Sequence, residues 1–334
     1  MQKLLVVTAS VMALTAAFVP PDAVAEATGG APLALEAKIP LGVVEGRIDH
    51  MALDAERGRL FVAELGNDTV AVVSLPDRKV IRVIDNLKEP QGVGYLGSSD
   101  TLYIANGGDG TLGMYAGAEY ALKKRLDLKD DADNIRIDAN ANQIFVGYGS
   151  GAIEIVDSTT GQQVGNVALK GHPESFQLSR DGQRIFVNVP SVREVAVIDR
   201  TAGKQVARWN LRYQGNFPMA LDEPNQRVLV AFRSPPRLSA YAMKDGAALA
   251  TIEICGDADD IFVDAKRSRV YVSCGEGMVD ILDARDMVFT RLARVPTEPG
   301  ARTALFSPEW DRLFVVVRAS PVEPAGIWIF RPDP

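Results

Sequence analysis

The chain has 334 residues, 47% of them hydrophobic and 24% charged, with a formal net charge of −7. That composition describes a globular body with a substantial core. The acidic balance, without a long basic run, excludes a nucleic-acid binder that works by neutralising phosphates.

Lys3 precedes an apolar, small-residue stretch from Leu4 to Val19, and Ala23-Val24-Ala25 follows. This is the pattern of a secretory signal, so residues 1–25 are expected to be removed and 26–334 to form a periplasmic or secreted protein. The apolar stretch is short for a membrane span, and no later segment is long enough for one, so the mature chain is expected to have none. An exported chain with two cysteines permits one disulfide.

From Ile48 onwards a unit recurs. Its openings are Ile48-Asp49-His50-Met51, Pro90-Gln91-Gly92-Val93, Ala132-Asp133-Asn134-Ile135, Pro173-Glu174-Ser175-Phe176, Asn216-Phe217-Pro218-Met219, Ala258-Asp259-Asp260-Ile261 and Ala301-Arg302-Thr303-Ala304. The equivalent positions 49, 91, 133, 174, 217, 259 and 302 are 41 to 43 residues apart. Each unit continues with the same grammar. A short apolar strand meets a polar turn such as Asp222-Glu223-Pro224-Asn225, and a second strand follows, such as Leu60-Phe61-Val62-Ala63 or Val270-Tyr271-Val272-Ser273. A third strand such as Val195 to Asp199 and a more polar, alternating fourth such as Ala248 to Ile254 complete it. Four strands per repeat of about 42 residues is the blade of a β-propeller. The seventh unit runs out after a third strand, Gly326 to Phe330, and residues 33–41 supply a spare strand. Pairing the two closes the ring and leaves no open sheet edge at the joint. The expectation is an all-β, seven-bladed β-propeller of four-stranded blades, a single domain over 26–334.

The stretches "RLFVAELGNDTVAVVSL", "TLYIANGGDGTL" and "VYVSCGEGMVDIL", with the turn "EPQGVGY", resemble the YVTN-repeat, or YncE-like, propellers. The resemblance runs from residue 33 to 330, although "FVAE", "FVGY", "FVNV" and "YVSC" replace the namesake tetrapeptide. It implies an exported seven-bladed propeller and does not imply one function, because propellers host many. Trp310-Asp311 falls in a turn and no Gly-His/Trp-Asp pairing recurs, so the chain does not resemble a WD-repeat protein.

Strands of a blade alternate direction, so the loops before the first strand and those between strands two and three emerge on one face. That face carries the unusual residues. The repeat position holds Asp49, Gln91, Asp133, Glu174, Phe217, Asp259 and Arg302, and the next holds His50, Gly92, Asn134, Ser175, Pro218, Asp260 and Thr303. Four of the first seven are carboxylates, and the chain's two histidines, His50 and His172, lie beside them. Asp and Asn in such loops also cap backbone N–H groups, which is the purely structural alternative. The functional alternative is a polar funnel at the channel mouth, with Asp49, His50, Glu64, Asp133, Asn134, His172, Glu174, Arg233, Asp259, Asp260 and Arg302 as its candidate ligand-binding residues. Arg136, inside a first strand, is expected to pair with an acid of a neighbouring blade.

Two distant histidines make no zinc site, and no loop has the calcium-binding pattern, so no metal and no cofactor are expected. "GYGSGA" lacks the form of a nucleophile elbow. Cys255 and Cys274 flank one hairpin on the same face and are expected to form a disulfide that steadies the acidic Asp257-Asp259-Asp260 turn. The leading functional expectation is a monomeric, exported binding protein for a small ligand or a protein partner at the channel mouth. The alternative is a lactonase, lyase or isomerase acting on a small organic acid, with His50 or His172 as base and Arg233 or Arg302 gripping the anion. A docking scaffold would instead expose an apolar rim around Phe217, Pro218, Pro235 and Pro236.

Overall fold

A computed structural model describes residues 32–334; the expected signal segment lies outside them. Seven four-stranded antiparallel sheets follow one another along the chain. Blade one comprises Met51–Asp54, Arg59–Glu64, Thr69–Ser74 and Lys79–Ile84. The next five blades repeat that order with innermost strands Pro90–Leu96, Ala132–Asp138, Phe176–Leu178, Gln214–Asp222 and Ala258–Asp264. Outside the strands the only helical pieces among the described residues are four single 3-10 turns.

Blade seven is composite. Ala304–Ser307, Arg312–Val317 and Gly326–Pro332 come from the C-terminal end, and Leu33–Pro40 pairs antiparallel with the last of them, Leu33 opposite Pro332 and Pro40 opposite Gly326. Ring closure therefore follows the sequence expectation. Leu33 and Ile39 of this strand are buried, so it is packed as well as hydrogen-bonded.

The core is distributed between the blades. Strands two and three are apolar on both faces because each sheet is covered on both sides, and seven hydrophobic clusters fill the seven seams. At the closing seam Leu60, Val62 and Val73 of blade one meet Phe314, Val316 and Ile327 of blade seven. Outermost strands alternate half-buried and exposed positions, as in Ala248–Glu253. The turns between strands one and two carry structural ion pairs. Arg227, 1% exposed, donates to Asp222 Oδ2 within its own blade and to the backbone oxygens of Ala284 and Asp286 in the next. Arg59 with Asp54, and Arg267 with Asp264 and Asp311, repeat the device.

Cys255 and Cys274 form the expected disulfide, and no free cysteine remains among the described residues. No helix among those residues is long and apolar enough to cross a membrane.

Candidate functional site: a charged cup at the channel mouth

The leading loops do not run straight into the innermost strands. In four blades the register with strand two slips at the mouth, between Pro90 and Gly92, Ala132 and Ile135, Asn216 and Met219, and Ala258 and Asp260. Such bulges re-aim side chains, and here they hold Gln91, Asp133, Asn134 and Asp259. Gly92 lets the next blade approach: a Cβ there would lie 2.0 Å from the carbonyl oxygen of Asp133. Two residues before each repeat position, Glu89, Asp131, Gly215, Asp257 and Gly300 have φ between 32° and 88°. The left-handed turn suits glycine and is tolerated by Asp, and the same column supplies Arg47 and His172.

Together these residues form a cup of about 250 Å³. Asp49, His50, Asp133, Asn134, His172, Glu174, Arg233, Asp259, Asp260 and Arg302 line it, as the repeat alignment predicts, and Arg47, Asp131, Gln91, Ser175 and Phe217 complete it. Glu64 does not line it. It is buried at the end of a second strand, where its Oε2 accepts a 2.6 Å hydrogen bond from Thr69. Arg136 also departs from expectation. Its guanidinium donates to Ile135 O at 2.7 Å and Asn134 Oδ1 at 3.4 Å and lies over the Phe176 ring, and it makes no hydrogen bond to an acid among the described residues. Phe217 belongs to the cup wall, under the Arg233 guanidinium at 3.9 Å, so it forms no apolar rim.

Charges inside the cup fall into two groups. On one side Arg233 and Arg302 clamp the acidic turn. Arg302 donates to both oxygens of Asp257, at 3.2 and 3.0 Å, and its Nε lies 3.1 Å from Asp259 Oδ2. Arg233 pairs with Asp259 and has its Nε 3.1 Å from Asp257 Oδ1. The arginines, in addition to the disulfide, therefore offset the like-charge repulsion of this turn. Arg47 pairs with Asp49 at 2.6 Å.

On the other side the two histidines converge on one carboxylate. Asp133, 7% exposed, has Oδ2 3.7 Å from His172 Nε2 and Oδ1 3.7 Å from His50 Nε2. His172 Nδ1 donates to Gly149 O at 2.6 Å and stands 3.5 Å from Asp131, which also accepts from Gln91. Burial opposes the charged His172 ring, but Asp133 and the Gly149 carbonyl outweigh it and raise its pKa to about 9. His50 is likewise raised: burial works against its charge, and Asp49, Asp133 and Asp260 more than compensate. Burial would raise Asp133, but the two imidazoles hold it below the usual carboxylate range. Burial, with the charge of Asp133, pushes Glu174 up to about 7. Burial pushes Asp260 up to about 7 as well, with Asp259 adding to the effect, although its Oδ2 accepts from Ala304 N. Asp133 Oδ1 is buried and has no hydrogen-bond donor.

A buried carboxylate oxygen without a donor marks a site short of donors, and the raised Glu174 and Asp260 beside it are short of positive charge. Among the described residues no group of three or more His, Cys, Asp or Glu side chains is placed so that it could hold a metal ion.

Two solved structures show the same fold. One is described as Kuenenia stuttgartiensis hydrazine synthase, with a TM-score of 0.71 and 16% identity over 84% of this chain and 98% of that one. The other belongs to a mitotic checkpoint complex, with a TM-score of 0.76 and 13% identity over 96% of this chain and 99% of that one. At such identities the likeness concerns the seven-bladed architecture alone. No family model and no curated protein matches the chain.

Proposed function

We propose that this chain is an exported propeller of the YVTN-repeat type that binds a small ligand bearing an ammonium or similar cationic donor in the cup. The observation that carries the reading is Asp133 Oδ1, buried without a donor at the centre of the site. A ligand ammonium there would satisfy it and supply the positive charge that Glu174 and Asp260 lack, so both carboxyls would ionise on binding. The volume, about 250 Å³, corresponds to roughly eight water molecules at about 30 Å³ each, which suits a small molecule rather than a folded partner. Export is supported by the leader-like N-terminal sequence and by the disulfide, which persists in oxidising compartments.

The enzymatic alternative rests on Glu174. A carboxyl titrating near 7 is poised for proton transfer at neutral pH. It would take the role of base in place of the histidines, whose neighbouring acids keep them protonated, and the arginines that would grip an organic acid already hold Asp257 and Asp259. For that reason the binding reading stands first.

A thermal-shift panel of small amines, lactones and organic acids on the wild type and on Asp133→Asn tests it. Amines should raise the melting temperature of the wild type and lose most of that effect in the variant. Stabilisation by organic acids instead, or turnover of a lactone that Glu174→Gln abolishes, would replace the binding reading with the enzymatic one.

A further inference from the structure

The cup is only the upper part of the central channel. Beneath it lies a larger cavity of about 680 Å³, and His50 and Asp260 line both. The lower cavity reaches Arg180, Glu223 and Ala265, which sit in turns between strands one and two. It therefore opens on the face opposite the cup. Its walls differ in character. Every blade contributes an apolar side chain from its innermost strand, among them Met51, Val93, Leu178, Leu221, Phe262 and Leu305.

Among the described residues, Arg136 is the one arginine that an innermost strand places in that wall; Arg180 and His50 reach the cavity from its lower rim and from the cup. Arg136 lies inside the innermost strand of blade three, in a cavity wall that is mostly apolar but also holds His50, Gln177 and Asp260. Among the described residues its hydrogen-bond acceptors are Ile135 O and Asn134 Oδ1, both neutral, and Phe176 backs its guanidinium. Asp260 and Asp133 act on it only from a distance, and burial lowers its pKa. At the lower rim Glu223 is already committed to Arg180, from which it accepts a 2.5 Å backbone hydrogen bond. A guanidinium without a bound carboxylate, set among hydrocarbon, is short of an anion that can offer paired oxygens.

We infer that the lower channel is a second binding site, distinct from the cup, for an organic monoanion with an apolar body: its carboxylate would pair with Arg136 and its hydrocarbon would lie along the aliphatic walls. The site is distinct from the cup because Arg136 and the aliphatic walls do not line the cup, although His50 and Asp260 border both.

Isothermal titration with octanoate, acetate, octanol and octylamine tests this, using the wild type, Arg136→Met, Leu305→Trp and, as the cup control, Asp133→Asn. Octanoate should bind the wild type, with acetate, octanol and octylamine at least tenfold weaker, since the first lacks the hydrocarbon and the others lack the anion. Arg136→Met should weaken octanoate at least tenfold, and Asp133→Asn, which removes a negative charge acting on Arg136 from a distance, should not weaken it. If Arg136→Met does not fold, Leu305→Trp carries the test: its indole would fill the chamber and block octanoate while leaving the guanidinium in place. Equal binding of octanoate and octanol, undiminished octanoate binding in either channel variant, or no octanoate binding to the wild type would overturn the inference.

Discussion

Replacing Asp133 by Asn removes the charge that both histidines share, and the effect can be worked out from the distances. His172 Nε2 and Asp133 Oδ2 are 3.7 Å apart. At an effective dielectric constant of about 20, unit charges at that separation attract by about 4 kcal/mol, roughly three pH units. The His172 side chain is 25% exposed, so solvent screening reduces the figure. Gly149 O and Asp131 remain as partners. The expected outcome is a fall in the His172 pKa from about 9 by about two pH units. The assay is an NMR titration of the imidazole resonances; the chain has two histidines, and His50→Gln assigns them. Stability should follow with a definite sign. A histidine whose folded pKa exceeds its unfolded one stabilises fully below 6.5, and that contribution is lost as pH rises through about 9. Wild-type stability should therefore decline between those values by about 2 to 3 kcal/mol after screening, and Asp133→Asn should flatten much of the decline. A wild-type His172 titrating at or below 6.5, or a variant shifted by less than about half a pH unit, would refute the electrostatic account of the cup.

Three further outcomes follow from the fold and one from the cup. Replacing both Cys255 and Cys274 by Ala releases a covalent loop of about 20 residues and should cost roughly 3 kcal/mol by the chain-entropy model, read as a lower denaturation midpoint; an unchanged midpoint would contradict it. Arg227→Met strands the buried Asp222 and should cost about 3 to 5 kcal/mol in chemical denaturation; a loss below about 1 kcal/mol, the range of surface pairs, would show that the pair is not structural. Deleting residues 33–40 unpairs the Gly326–Pro332 strand and should produce aggregation in light scattering, whereas a stable monomer with an unchanged melting temperature would argue against the ring joint. Affinity for a small amine should rise between pH 6 and 8, because Glu174 and Asp260 lose their protons near 7; calorimetry showing the opposite slope would mean that the cup does not bind through its carboxyls.

The ring was legible because its signal is redundant. A repeat near 42 residues, strands apolar on both faces and a spare strand at residues 33–41 all demand the same closed architecture. The cup was legible in part. Aligning the repeat at and after position 49 brings Asp133, Glu174, Asp259 and Asp260 to one mouth, but Arg47 and Asp131 lie in the column two residues earlier, beside His172 and Asp257. Those four members of the column could have been found by the same spacing; the left-handed backbone of Asp131 and Asp257 could not. Pairing was not legible. Arg302 and Arg233 read as free anion grips, and only the curvature of the ring brings both onto Asp257 and Asp259. His50 and His172 read as residues of opposite blades, yet the cup is narrow enough for both to face Asp133. Glu64 read as a loop residue, but it ends a strand whose side chains are buried. Arg136 read as half of an ion pair because the sequence cannot show that Asp260 and Asp133, whose charges reach it, make no hydrogen bond to it.

The most direct test of the cup is a crystal structure of the protein with the amine that stabilises it most in the thermal panel. The account predicts the ammonium nitrogen within about 3 Å of Asp133 Oδ1, a hydrogen-bond distance, with Glu174 or Asp260 turned towards it. An amine bound away from Asp133, or a bound organic acid that displaces Asp257 and Asp259 from Arg302 and Arg233, would contradict it.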